Sequence, residues 1–77
     1  MKRGPQRTPA KISVGRRIKR LRVSLGYSQE KLAELAGLSQ VSVSAIERGV
    51  TATNLDVLDR LALALHRETA DFFAMPE

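Results

Sequence analysis

The segment QEKLAELAGLSQVSVSAIER, residues 29–48, leaves this chain little choice of local structure. Leu32, Ala33, Leu35 and Ala36 recur at the spacing of one helix face, and Leu38, Val43 and Ile46 form the inner face of a second helix. Between them stands Gly37, where a turn from helix to helix needs a residue tolerant of positive φ. Ser39 follows two residues later, a strong N-cap for the second helix. The spacing predicts two short helices held at a fixed angle by a turn too tight to let them swing. Two architectures accommodate such a pair. One is an ordinary αα-hairpin inside a small bundle; the other is a helix-turn-helix, which presents its second helix to the DNA major groove.

Charge distribution separates these readings better than periodicity does. Residues 1–31 carry ten bases (Lys2, Arg3, Arg7, Lys11, Arg16, Arg17, Lys19, Arg20, Arg22, Lys31) against one acid, +9. Residues 32–77 carry three bases against seven acids, −4, so the net +5 hides a chain polarised along its length. A basic half of this density points to a polyanionic partner, nucleic acid or an acidic membrane surface. A solvated basic face is the alternative. At 77 residues without cysteine, the chain is one small domain with no disulfide or thiolate metal site, and self-association is the remaining source of extra stability. No apolar run reaches the roughly 18 residues of a membrane span, and the polar N-terminus is unlike a signal peptide. A cytoplasmic, nucleoid-associated protein is expected.

Along the chain, residues 1–12 combine Gly4, Pro5 and Pro9 with bases and read as a flexible arm, ahead of a packed domain at 13–77. Ser13 is the expected N-cap of a first helix with Val14, Ile18, Leu21 and Leu25 on its inner stripe and Gly26 as its stop. Ser28 caps the second helix, with Glu30 in the first turn. The third runs from Ser39 to about Arg48 and ends at Gly49. After a linker at 50–53, a fourth begins near Asn54 with Leu55, Leu58, Ala62 and Leu65 inward, reinforced by Leu61. His66 ends it, and a short fifth helix spans 68–73. The expectation is an all-α, five-helix domain without strands.

In their order and spacing, VGRRIKRLR (14–22), YSQEKLAELAGLS (27–39), VSVSAIERG (41–49) and LDVLDRLALAL (55–65) resemble the lambda repressor/Cro-type helix-turn-helix family, also called the xenobiotic-response-element family. The likeness covers about Ser13 to Phe73. It implies that Ala33, Gly37, Val43 and Ile46 hold the two motif helices at their angle. It implies a structural ion pair between Arg22 and Glu47. It also implies that Gln29, at the start of the first motif helix, contacts a phosphate. For Gln29 and the neighbouring Ser28, plain capping and solvation remain open.

In that docking, the N-terminal turn of the third helix faces base edges, so Ser39, Gln40, Val41, Ser44 and Ala45 are the candidate base-contacting residues. Gln40 suits direct readout, because its amide can donate to N7 and accept from N6 of adenine. Val41 suits a thymine methyl, and Ser42 the backbone. The reading helix carries no charge from Ser39 to Ile46, and the VTAT linker lacks the basic or Asn-Pro residues frequent in the family. Phosphate attraction is therefore expected from Arg16, Arg17, Lys19 and Arg20. Arg3 and Arg7 either follow a minor groove or belong to a solvated tail.

One half-site of three or four base pairs specifies little, so a homodimer reading a pseudo-palindrome is expected. Leu63, Phe72 and Phe73 are the candidate interface; the alternative is that one Phe closes the monomer core. The function expected is that of a stand-alone regulator, a repressor or controller, on double-stranded DNA. An antitoxin or coactivator-like protein-interaction module on the same fold is the alternative. A membrane role fits poorly, because helix 1 has no Trp or Phe and its apolar stripe is wanted by the core. An enzyme is not expected, since His66 is the single histidine and no acid–base pair stands out. No cofactor, metal or small-molecule ligand is expected.

Overall fold

The computed structural model describes residues 7–51 and 53–73. They form four α-helices, α1 Pro9–Ser24, α2 Gln29–Ala36, α3 Gln40–Glu47 and α4 Leu55–Ala64, followed by a 3-10 turn, Thr69–Phe73. No strand occurs among the described residues. Each α-helix starts with the same local device. Thr8, Ser28, Ser39 and Asn54 adopt extended backbone, and their side-chain oxygens accept from the backbone N–H three residues on, at 2.9–3.2 Å. For α1 the cap is Thr8, not Ser13, with Pro9 at the first helical position, where its fixed φ and missing N–H cost nothing. Residues 9–12, expected in the arm, are therefore helical.

Gly26 and Gly37 turn the chain out of α1 and α2 with φ of 76° and 72°. At Gly37 the Leu38 N–H closes on the Ala33 carbonyl at 2.8 Å, which ends α2 and brings half-buried Leu38 against the core. His66 occupies the equivalent position after α4 with φ of 60°, a left-handed conformation that a side chain resists.

The core is a cluster drawn from all five elements: Val14 and Ile18, Leu32, Ala33 and Ala36, Val43 and Ile46, Leu58, Leu61, Ala62 and Leu65, and Phe72. Three apolar side chains expected inside lie largely outside. Leu25 caps α1 in its closing turn, Leu35 lies on the outer side of α2, and Leu55 opens α4 beyond the packed layer; they are 41%, 46% and 70% exposed. Phe72 differs in the opposite sense. Expected at a dimer surface, it is fully buried, plugging the end of the core. The expected fifth helix is only a 3-10 turn, since five residues are too few to repay α-helix nucleation. Asp71 closes that turn by accepting from the Glu68 N–H, and Thr69 donates to Asp59 on α4.

Gly15 sets how α1 meets α3. A Cβ there would stand 2.7 Å from the Glu47 carbonyl oxygen and closer still to that of Ile46. Only a glycine lets α1 rest on the C-terminal end of α3. That contact places Arg22, two turns further along α1, beside Glu47.

Candidate nucleic-acid interface

Arg22 and Glu47 form a buried, two-pronged ion pair. Nε donates to Oε2 at 2.6 Å and Nη2 to Oε1 at 3.0 Å, with side-chain exposures of 10% and 2%. The remaining guanidinium nitrogen, Nη1, donates to the Tyr27 carbonyl at 2.8 Å, so the pair also ties down the α1–α2 turn. Charges buried this deeply are tolerable only when their hydrogen-bonding capacity is met.

Glu47 has a third donor. The amide nitrogen of Gln29, at the start of α2, donates to Glu47 Oε1 at 3.0 Å. The amide oxygen of Gln29 in turn accepts from Gln40 Nε2 at 2.7 Å. The result is a single relay, Arg22–Glu47–Gln29–Gln40, running from the buried pair to the exposed first residue of α3. Its polarity follows from chemistry. An ionised carboxylate only accepts, so Gln29 must turn its nitrogen inward and its oxygen outward. Gln40 must then offer its nitrogen to Gln29, which leaves its Oε1 and a second N–H for a ligand. Gln29 keeps one N–H as well, next to the N-terminus of α2 where anions are favoured.

Ser39, Gln40 and Val41 are exposed, while Ser42, Ser44 and Ala45 are half-buried. The Ser39 hydroxyl caps α3 and donates to Ser42 Oγ at 2.9 Å, so both hydroxyls are already engaged in local structure. Ser28 is likewise the cap of α2. Val41 is 72% exposed, a bare isopropyl group one residue from Gln40. On α1, Arg16, Lys19 and Arg20 are exposed and Arg17 is half-buried. Arg7 is exposed just ahead of the Thr8 cap; Arg3 lies outside the described residues.

Two contributors had no clear signal in sequence. The bridging role of Gln29 depends on residues 11 and 18 positions away, a separation that no helical period reveals. Arg60 of α4 reaches the Gly37 carbonyl at 3.5 Å and pairs with Asp56 at 3.2 Å, steadying the turn from outside. Gly15 did carry a signal: a glycine inside a helical pattern marks either weakness or a close approach.

Leu63 and Phe73 are 77% and 54% exposed but border different grooves. Leu63 lies beside Tyr27, Leu35 and Ala64, and Phe73 beside Ala10, Val14 and Leu58. No helix among the described residues is long and apolar enough to cross a membrane.

An exposed helix N-terminus, braced by a tight turn and a buried ion pair, defines a helix-turn-helix domain. A sequence profile of the helix-turn-helix family matches residues 18–72. The chain is 36% identical over 61 residues to the HTH-type transcriptional regulator YgzD of Bacillus subtilis, covering 79% of this chain and 92% of that protein. Among solved structures, the restriction-modification controller protein C.AhdI of Aeromonas hydrophila superposes with a TM-score of 0.84 at 36% identity, over 86% of this chain and all of that one. The biofilm master regulator SinR, solved in complex with DNA, gives 0.75 at 32% identity, over 79% and 98%. The chain belongs to the Cro/C1-type helix-turn-helix family and is a DNA-binding transcriptional regulator.

Proposed function

We propose that this regulator acts as a homodimeric repressor or controller in the cytoplasm. It lays the N-terminal turn of α3 into successive major grooves of a pseudo-palindromic operator. The observation that carries this reading is the relay ending at Gln40. A side chain anchored through Gln29 and Glu47 to a buried arginine is poised to read a base rather than merely to be solvated. Its free acceptor and donor match N6–H and N7 of adenine. Val41 meets a thymine methyl, Ser44 and Ala45 line the same groove, and Ser39 and Ser42 lie at its edge. Gln29 and the cations Arg16, Arg17, Lys19 and Arg20 contact phosphates, which fix register and attract DNA without reading it. Arg3 and Arg7 enter the adjoining minor groove. The controller and DNA-bound regulator among the similar structures favour this over a protein-interaction module.

Two half-sites about 34–36 Å apart require two copies. Leu63 and Phe73 supply the apolar contact between them; Phe72, being core, does not. The test is selection from a random duplex pool, followed by footprinting on the DNA upstream of the gene. The expected result is an enriched inverted repeat with Gln40-dependent preference at one adenine per half-site. A pool without enrichment, or enrichment unchanged in Gln40→Ala, refutes the docking.

A further inference from the structure

The relay does more than hold Gln40 in place; it fixes which way round its amide points. An unrestrained glutamine turns about its broad terminal torsion at little cost. Here, turning the Gln40 amide over would set its Oε1 against Gln29 Oε1, in place of the donor nitrogen that now stands 2.7 Å from that oxygen. Turning Gln29 as well would set its oxygen against Glu47 Oε1, and that carboxylate is held by Arg22 from the other side. Each reversal sets one acceptor against another; the Gln40–Gln29 bond is exposed in the free protein, so the loss that an unsatisfied group brings falls in full when bound DNA excludes water from it.

We propose that the locked Gln40 makes operator recognition sensitive to adenine methylation, N6-methyladenine at the read position excluding the regulator. The inference rests on the reading of adenine by Gln40 proposed above. In a base pair, adenine keeps one N6–H for thymine and presents the other to the major groove beside N7. Methylation replaces that second hydrogen with a carbon. Gln40 Oε1 then faces a methyl group with nothing to accept, and the relay denies the amide the turn that would relieve it. A mobile glutamine would swing aside and keep a single bond to N7. Gln29 is thus a positioning residue for methyl discrimination. Methylation of the operator adenine becomes a covalent off-switch that acts on the DNA instead of the protein.

The experiment uses the full chain and the selected operator duplex, with single adenines replaced by 7-deazaadenine or by N6-methyladenine. Removal of N7 should weaken wild-type binding at one adenine per half-site and leave Gln40→Ala indifferent, which identifies the read base. At that base, N6-methyladenine should weaken wild-type binding by about 5- to 150-fold, the range of one bidentate pair. Gln29→Ala should bind less tightly overall yet discriminate against the methyl group several-fold less than wild type. Tolerance of the methyl group within about twofold, at an adenine where 7-deazaadenine does weaken binding, overturns the lock while leaving the adenine reading intact. Full methyl discrimination in Gln29→Ala overturns its positioning role. An operator with no Gln40-dependent adenine removes the reading itself, and the proposal with it.

Discussion

Separating what the Arg22–Glu47 pair does for stability from what it does for recognition takes three variants. In Glu47→Leu, the Arg22 guanidinium stays in a site where its side chain is 10% exposed, with the Tyr27 carbonyl as its remaining acceptor. Stranding a buried charge in this way costs about 3–5 kcal/mol. A domain of this size has only about 4–12 kcal/mol to lose, at ~0.05–0.15 kcal/mol per residue. With each kcal/mol shifting a small domain by about 4–8 °C, the melting temperature should fall by about 12–40 °C. Arg22→Met should also destabilise, by leaving the Glu47 carboxylate without its countercharge. The double variant Arg22→Met/Glu47→Leu should restore much of the stability, because apolar groups of similar volume replace both charges and no ion is stranded. It should not restore sequence reading, because Gln29 no longer has a carboxylate to orient it and Gln40 loses its anchor. Circular dichroism melts supply the first comparison; fluorescence anisotropy on the operator against a duplex altered at the read base supplies the second. A Glu47→Leu melt within about 4 °C of wild type refutes the stability argument. A double variant with full base discrimination refutes the relay.

Other perturbations probe different links. Gly15→Ala forces a Cβ to within 2.7 Å of the Glu47 carbonyl oxygen and should lose about 1–3 kcal/mol, seen as a lower urea midpoint. His66→Gly should gain about 0.5–1 kcal/mol by relieving the left-handed φ of 60°, less the entropy added to the unfolded chain; a lower melting temperature contradicts this. Phe72→Ala should cost about 3–5 kcal/mol as a core truncation, whereas Leu63→Glu should leave the melt of the monomer fold nearly unchanged and abolish dimers in sedimentation equilibrium. Lys19→Ala should weaken binding to all sequences alike and reduce the salt slope by about 1. A sequence-dependent loss would show that Lys19 reads bases.

The caps at Ser28 and Ser39, the start of α4 near Asn54 and the turn at Gly37 are legible because each is a contact within three to five residues, and the residue types that make it are few. Thr8-Pro9 carried the same kind of signal, yet it was masked by Gly4 and Pro5, whose company made Pro9 read as part of an arm. Periodicity marks a helix face only to within a residue on either side, so it places Leu35 and Leu55 inward although they lie at the margins of their stripes. Adjacent Phe72 and Phe73 show the same limit more sharply. They are chemically identical, and only the path of the 3-10 turn sends one into the core and leaves the other 54% exposed.

Local chemistry along residues 29–48 therefore determined that there would be two helices, a tight turn and an uncharged reading end, and the run of bases before it determined the polarity of the molecule. Those properties depend on nearest neighbours and on sums of charge, both of which are present in the unfolded chain. Tertiary structure decided how the reading end is aimed. Gly15 brings α1 onto the end of α3, the approach buries Arg22 against Glu47, and Glu47 orients Gln29, which orients Gln40. The three hydrogen-bonded steps join residues 11 to 25 positions apart, and the Gly15 contact spans more than 30. The hydrogen-bond direction passed from one to the next starts at a carboxylate that can only accept, and these groups meet only once the chain has folded.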